Sequence, residues 1–532
     1  MGFGSQICRC VAILCFRPVI ACFLLSLLLL GPTNISGLLP NEKKLISKDL
    51  SDVSQCIEYE SAQKLIHVRC KSIHLTDIYN HLNNPNILGI QNNDDGAVSS
   101  LKNETVWILD AGIVVEKEGS LIIDSSDTSW LKITPTPTLQ PKQVSDNVTD
   151  KEDSDDSGPQ EQTEIDADTE NINTSNTEGN DIIVVSKNNG NNPNGIHVHG
   201  SLKIDSVKIT SWDPEKNDVI SFDFGKRPGE EHTKSDYDTA EPRAFIRISK
   251  DATGTTNITN SELAYLGYSC SRCSGLSYYG GEGSVIKDNN IHHLLKGFYS
   301  KNAGYLTIDS NKFHDNYLYG IDPHTGSHDL AIIDNLVYNN NASGIICSKH
   351  CYNILIEGND VYNNVGAGGG IVFSINTTKS VAKNNNVHDQ PRCISFSRAS
   401  DHNAVYNNTI SNCKIGVFLG NTNSNSIYDN KIDGTEDAII IQNVGNMIYN
   451  NKISEAENGI VFEPVPHSNR TNDIASVNSD TTDKDHSSYL INIVDENHIL
   501  DTKNPIFLKK QPLNNSVEVQ PEEKKSTSAP DN

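Results

Sequence analysis

The sequence predicts an all-β chain, a right-handed parallel β-helix of about 22–24 residues per coil, and three observations carry that prediction. First, an asparagine recurs two positions before an apolar residue, at Asn289, Asn311, Asn335, Asn359, Asn385, Asn408, Asn430 and Asn451. The steps between them are 22, 24, 24, 26, 23, 22 and 21 residues. Second, a small residue precedes an apolar one in the same rhythm, at Gly275, Gly297, Gly320, Gly344, Gly370, Cys393, Gly416, Ala438 and Gly459. Third, the run after each small residue, such as Gly-Ile-Val-Phe at 459–462, has the length and β-branched content of a strand.

The composition agrees. At 36% hydrophobic and 6% aromatic residues, the 532-residue chain is poor in material for a large globular core. A solenoid needs only a thin apolar stripe from each repeat. Helical and leucine-rich repeats fit poorly, because asparagine is abundant and no amphipathic helical stretch is visible. In a parallel β-helix each coil adds one strand to each of several sheets, and coils stack about 4.8 Å apart. The asparagine column is then a corner whose amides satisfy one another and the turn backbone.

Around this helix, expected over 182–466, the chain divides by composition. Residues 1–31 carry Arg9 and Arg17, then an apolar run from Val19 to Leu30 broken only by Ser26, then Gly31. This is the pattern of an export signal, or alternatively of an N-terminal anchor. Residues 32–135 read as a β-rich lead-in, with Val106-Trp107-Ile108 and Leu121-Ile122-Ile123 as strands. Residues 136–181 hold 13 acidic and 2 basic residues, so 11 of the 25 net negative charges lie in a polar linker. Residues 467–532 form a polar tail, within which Tyr489–Leu508 is expected to cap the open end of the solenoid.

The acidic balance excludes nucleic acid as a partner. With the linker set aside, the repeat region remains compatible with an acidic polysaccharide. Twelve cysteines fit an oxidising compartment, outside the cell or at its surface. Cys270-x-x-Cys273 and Cys347-x-x-x-Cys351 resemble zinc spacings. However, Cys273 and Cys347 are 74 residues apart, about three coils, or roughly 14 Å along the axis, which is too far to share one ion. Disulfides are the better reading, with connectivity open except that Cys393 and Cys413 suit neighbouring coils. No metal, no cofactor, no membrane beyond an N-terminal anchor and a monomeric state are expected.

Counting from the small residue as position zero places candidate chemistry. Position +1 is apolar and inward-facing, as at Ile321, Ile345 and Ile371. Positions +2 and +4 face outward. At +2 stand Ser277, Tyr299, Asp322 and Ile346; at +4 stand Tyr279, Lys301, His324, Ser348, Ser374 and Ser397; at +5, Lys349 and Arg398 share a column two coils apart. Pro323 is expected to interrupt its strand, which leaves the facing of that coil open. A polyuronate carries one carboxylate per sugar, so a basic ladder stepping with the coils can neutralise successive charges. The hydrogen on C5, beside the carboxylate, is weakly acidic. A neutral His324 can remove it, Lys349 or Arg398 can stabilise the resulting anion, and Tyr319 can return a proton from the opposite face. Asp322 can orient the imidazole or bind hydroxyls. Tyr299, Lys301, Ser348 and Arg398 are expected to bind substrate. The same columns would also suit plain carbohydrate binding.

These residues sit in recognisable words. "GFYS" at 297–300, "YGIDPH" at 319–324 and "GIICSK" at 344–349 resemble the alginate (poly-mannuronate) C5-epimerases, as do "ITSWD" at 209–213 and "SELAYLGYS" at 261–269. The likeness spans roughly 200–465. It implies an exported β-helix acting on polymeric mannuronate, with His324 as base, Asp322 beside it, Tyr319 as acid and Lys349 where that family carries arginine. Two departures stand out: Lys349 keeps the charge but loses the bidentate fork, and Thr325 follows the Asp-Pro-His where the family often has an acidic residue. Three activities fit the reading: an epimerase, a lyase that expels the O4 substituent by β-elimination, and a non-catalytic glycan-binding surface protein.

Overall fold

A computed structural model describes residues 53–91, 105–135, 194–222, 242–269, 272–366, 368–463 and 492–509. The signal-like segment, the acidic linker and most of the C-terminal tail lie outside the described residues. The described chain winds into a parallel β-helix of three sheets, with 15, 15 and 12 strands. One coil shows the plan. Gly275–Tyr278 belongs to the first sheet, Val285–Lys287 to the second and Asn290–His292 to the third, and Lys296–Lys301 returns to the first beside its starting strand.

The core explains how so little apolar residue suffices. Strands of the second and third sheets bury one residue each between two half-exposed neighbours, as in Ala331–Ile333 and Leu336–Tyr338. Ile286, Ile308, Ile332 and Ile356 therefore stack in register through the second sheet. Phe313, Val337 and Val361 do the same in the third.

The asparagine column is the corner between those two sheets. The side-chain amide of each donates to the side-chain oxygen of the next, from Asn289 to Asn311, Asn335, Asn359, Asn385, Asn408, Asn430 and Asn451, at 2.9–3.0 Å. That oxygen also accepts the backbone N–H of the asparagine below it, as Asn359 does from Asn335. Two further ladders were not foreseen: Asn316, Asn340, Asn364 and Gln390, and Asn403, Asn425 and Asn446. The glycine column follows from the same packing. A Cβ on Gly320 would lie 2.7 Å from the Gly344 carbonyl oxygen and 2.9 Å from the Asn340 amide, closer than carbon tolerates.

Several expectations need correction. Leu75–Leu82 is an amphipathic helix with Leu75 and Ile78 buried, where none was visible in the sequence. Three strand pairs are antiparallel, namely Ile57–Glu60 with Leu65–Val68, Leu88–Ile90 with Val106–Leu109, and Lys208–Asp213 with Asp218–Val219. Ile493–Asp495, His498–Leu500 and Asn504–Leu508 add one more strand to each of the three sheets, so this stretch is a further coil. Cys56 pairs with Cys70, and Cys393 with Cys413 across neighbouring coils as expected. Cys347 and Cys351, however, are buried thiols, and the Cys351 thiol donates to the carbonyls of Ser348 and Pro323.

Candidate active site

The outward columns of the first sheet fall in the register read from the glycines. Ser277 is paired with Tyr299, Tyr299 with Asp322, Lys301 with His324, and His324 with Ser348. Their inward neighbours, Phe298, Ile321, Ile345 and Cys347, belong to the core, so strand alternation turns Tyr299, Asp322 and His324 outward. Pro323 does not end its strand. Ile321–His324 pairs on both sides, but toward Ile345–Ser348 only its end residues stay in register, because proline has no N–H to give to the ladder.

His324 is 9% exposed, lower than a wholly open wall would give. Its ring packs against Tyr299, with centroids 5.6 Å apart. Its Nδ1 lies 2.6 Å from the Thr325 hydroxyl. Thr325 is thus the residue whose hydroxyl meets this nitrogen, while the Asp322 carboxylate meets Lys296. The Asp322 carboxylate is fully buried and accepts from Lys296 Nζ at 2.8 Å. Lys296 was missed. It also sits 4.3 Å from the Tyr299 ring centre and 5.5 Å from that of Tyr319, so Tyr319, Lys296, Tyr299 and His324 form one contiguous cluster. Its signal was its place: it stands immediately before Gly297, as Tyr319 does before Gly320, a position that counting forward from the glycine passes over.

Lys349 and Arg398 occupy the turn that leaves the first sheet. Both are left-handed, with φ of 59° and 54°. Backbone bonds run from His350 N–H to the Ile375 carbonyl and from Asn376 N–H to the Arg398 carbonyl, which places the two cations on the same turn two coils apart. Ser348 is buried beside His324, and Ser374 and Ser397 continue the column, joined hydroxyl to hydroxyl at 3.1 Å. The structure therefore brings Tyr299, Lys301, Asp322, His324, Ser348 and Lys349 into neighbouring coils, with Tyr319 at the other edge of the strand and Arg398 further along the turn.

Fold and outward ladder together make this chain a parallel β-helix protein with a polar column along one wall. Among curated proteins it is similar to mannuronan C5-epimerases. That of Pseudomonas fluorescens is 29% identical over 179 residues, 31% of either chain. That of Pseudomonas aeruginosa is 30% identical over 178 residues, 31% of this chain and 30% of the relative. That of Pseudomonas putida is 24% identical over 246 residues, 43% of this chain and 44% of the relative. The chain thus matches less than half the length of these relatives. Among solved structures, the periplasmic alginate epimerase AlgG superposes with a TM-score of 0.53 at 16% identity, over 83% of this chain and 87% of that one. The resemblance to the alginate C5-epimerases carried by the motifs is thereby shown, and so is the fold. A family model described as "Periplasmic copper-binding protein (NosD)" matches residues 248–440. Among the described residues no group of three or more His, Cys, Asp or Glu side chains is arranged to hold a metal ion.

Proposed function

We propose that this protein is a polyuronate C5-epimerase of the mannuronan type, acting outside the cytoplasm. The observation that carries the reading is the register of the first sheet, which sets Tyr299 beside Asp322 and His324 between Lys301 and Ser348. These coils hold the motifs shared with the alginate C5-epimerases. The signal-like leader and the Cys56–Cys70 and Cys393–Cys413 disulfides support export.

In this reading the polymer lies along the outer wall, one sugar per coil. His324 Nδ1 lies beside the Thr325 hydroxyl, and the neutral imidazole takes the C5 proton. General bases of this kind contribute about 10²–10⁴-fold. The electron pair left on C5 spreads into the adjoining carboxylate, where Lys349 offsets the charge. The Tyr319 hydroxyl then delivers a proton to the opposite face of C5, inverting it. The Lys296–Asp322 pair positions Tyr299 and Tyr319. Were the O4 bond to break instead, the same base would yield an unsaturated sugar.

Proton NMR of poly-mannuronate with the protein in heavy water tests this. Epimerisation predicts deuterium at C5 together with new guluronate signals. An ultraviolet-absorbing unsaturated product would make the protein a lyase. Binding without any C5 exchange would leave a glycan-binding protein.

A further inference from the structure

The outward column that includes Tyr299 and Asp322 does not start there. Its pairing runs from His197 to Arg247, Ser277, Tyr299 and Asp322, past one register shift between Gly275 and Ser277. Arg247 and Asp322 are thus three coils apart, about 14 Å at the usual strand spacing.

Buried polar atoms without a hydrogen-bond partner are rare in folded proteins. Five side-chain atoms among the described residues have that status, and three of them lie in this one column: His197 Nε2, Ser277 Oγ and Asp322 Oδ1. The first can be assigned a chemical state. An Arg247 guanidinium N–H donates to His197 Nδ1 at 2.7 Å. Guanidinium cannot accept, so Nδ1 presents its lone pair. Burial, reinforced by the Arg247 charge, holds the imidazole well below its ordinary pKa, and the ring is neutral. The ring hydrogen is therefore on Nε2, a buried donor with nothing to donate to. Arg247 itself is half-buried, lying over the Phe245 face at 5.8 Å, and among the described residues no carboxylate lies within ion-pair range of it. A desolvated cation beside an unmatched donor favours an anion with oxygen acceptors.

We propose that Arg247 and His197 form a second carboxylate-binding subsite, which grips a sugar about three residues removed from the reacting one on the same acidic chain. The proposal rests on the polyuronate reading above. One uronate advances the polymer by about one coil, so a chain seated over His324 passes Tyr299 and Ser277 and brings a later carboxylate to Arg247. That carboxylate accepts from the guanidinium and from His197 Nε2–H. A sugar hydroxyl over Ser277 meets its unmatched Oγ.

Calorimetric titration of the full chain with a mannuronate hexamer, long enough to bridge the two places, tests the subsite. Arg247→Gln is expected to weaken hexamer binding about tenfold, the loss typical of one charge-assisted contact, with Arg247→Lys losing less. A hexamer of neutral mannose should show no dependence on residue 247. His197→Phe, which keeps the edge-on packing against Phe245, should lose a smaller factor and supplies the test if Arg247→Gln does not fold. Unchanged hexamer affinity in the folded variants overturns the subsite, as does failure of the wild type to bind. Arg247-dependent binding without any C5 exchange would leave the subsite standing and remove the epimerase reading. Exchange without Arg247 dependence would do the reverse.

Discussion

The outer face of the third sheet and that of the first are built on one helix by opposite rules. On the third, His292, His314, Tyr338, Tyr362 and His388 stack ring on ring, with centroids 4.9, 4.9, 5.2 and 5.0 Å apart. Each coil repeats what the last one offered, and each ring face is covered by its neighbour. On the first, the outward column changes from coil to coil: Tyr299 and Asp322, then further along Val372, Ser395 and Phe418. Repetition lets identical groups satisfy one another. Where it fails, a polar side chain meets something unlike itself, as Asp322 meets Lys296 and His324 meets Thr325. In a solenoid, chemistry is to be sought where the ladder is broken.

The comparison can be broken by altering one face and reading out both stability and activity. The largest expected effect is at the site. His324→Ala should slow C5 proton exchange about 10³-fold while leaving the melting temperature nearly unchanged. Next is the asparagine corner. Asn359→Ala removes an amide that bonds Asn385 and an oxygen that bonds Asn335. It should cost about 2 kcal/mol of stability, measured by denaturant titration, with exchange per folded molecule retained. A rung of an outer stack should matter less. Tyr428→Ala, between Tyr406 and Tyr449, should lose about 1 kcal/mol.

The smallest effect sharpens the electrostatic side. Burial, then the neighbouring His292, pushes the His293 imidazole down to about 4. Its folded-state value is below its unfolded one, so the unfolded chain binds the proton more readily. Stability from this group is full above about pH 6.5 and falls as the pH drops toward 4. After solvent screening the loss should be under about 1 kcal/mol. His293→Gln should flatten the melting temperature between pH 7 and pH 4. Glu262, held at about 2 chiefly by the His292 hydrogen bond, keeps its full contribution above about pH 5 and loses it progressively as the pH falls toward 2.

Much of this was legible in the sequence because a solenoid writes its period directly. The spacing of Asn335 and Asn359 fixed the corner, and counting from Gly320 placed Asp322 and His324 outward in the right register. What escaped was of other kinds. The aromatic stack sits three residues after each asparagine, as Tyr338 follows Asn335, but a single aromatic gives no sign of stacking until the coils are superposed. Lys296 lay on the unscanned side of its glycine. The Thr325 contact depends on a rotamer, and the Arg247–His197 pair on packing between neighbouring coils at positions that no motif includes. The thiols of Cys347 and Cys351 show that short spacing alone does not make a bridge.

The central claim is that the site and the scaffold are separable on this helix, with the imidazole of His324 as the base. Deuterium incorporation at C5 of poly-mannuronate, followed by NMR in heavy water for His324→Ala and Asn359→Ala side by side below their melting temperatures, tests it most directly. The account predicts incorporation slowed about 10³-fold with the first and near the wild-type rate with the second. Incorporation near the wild-type rate by folded His324→Ala would contradict it.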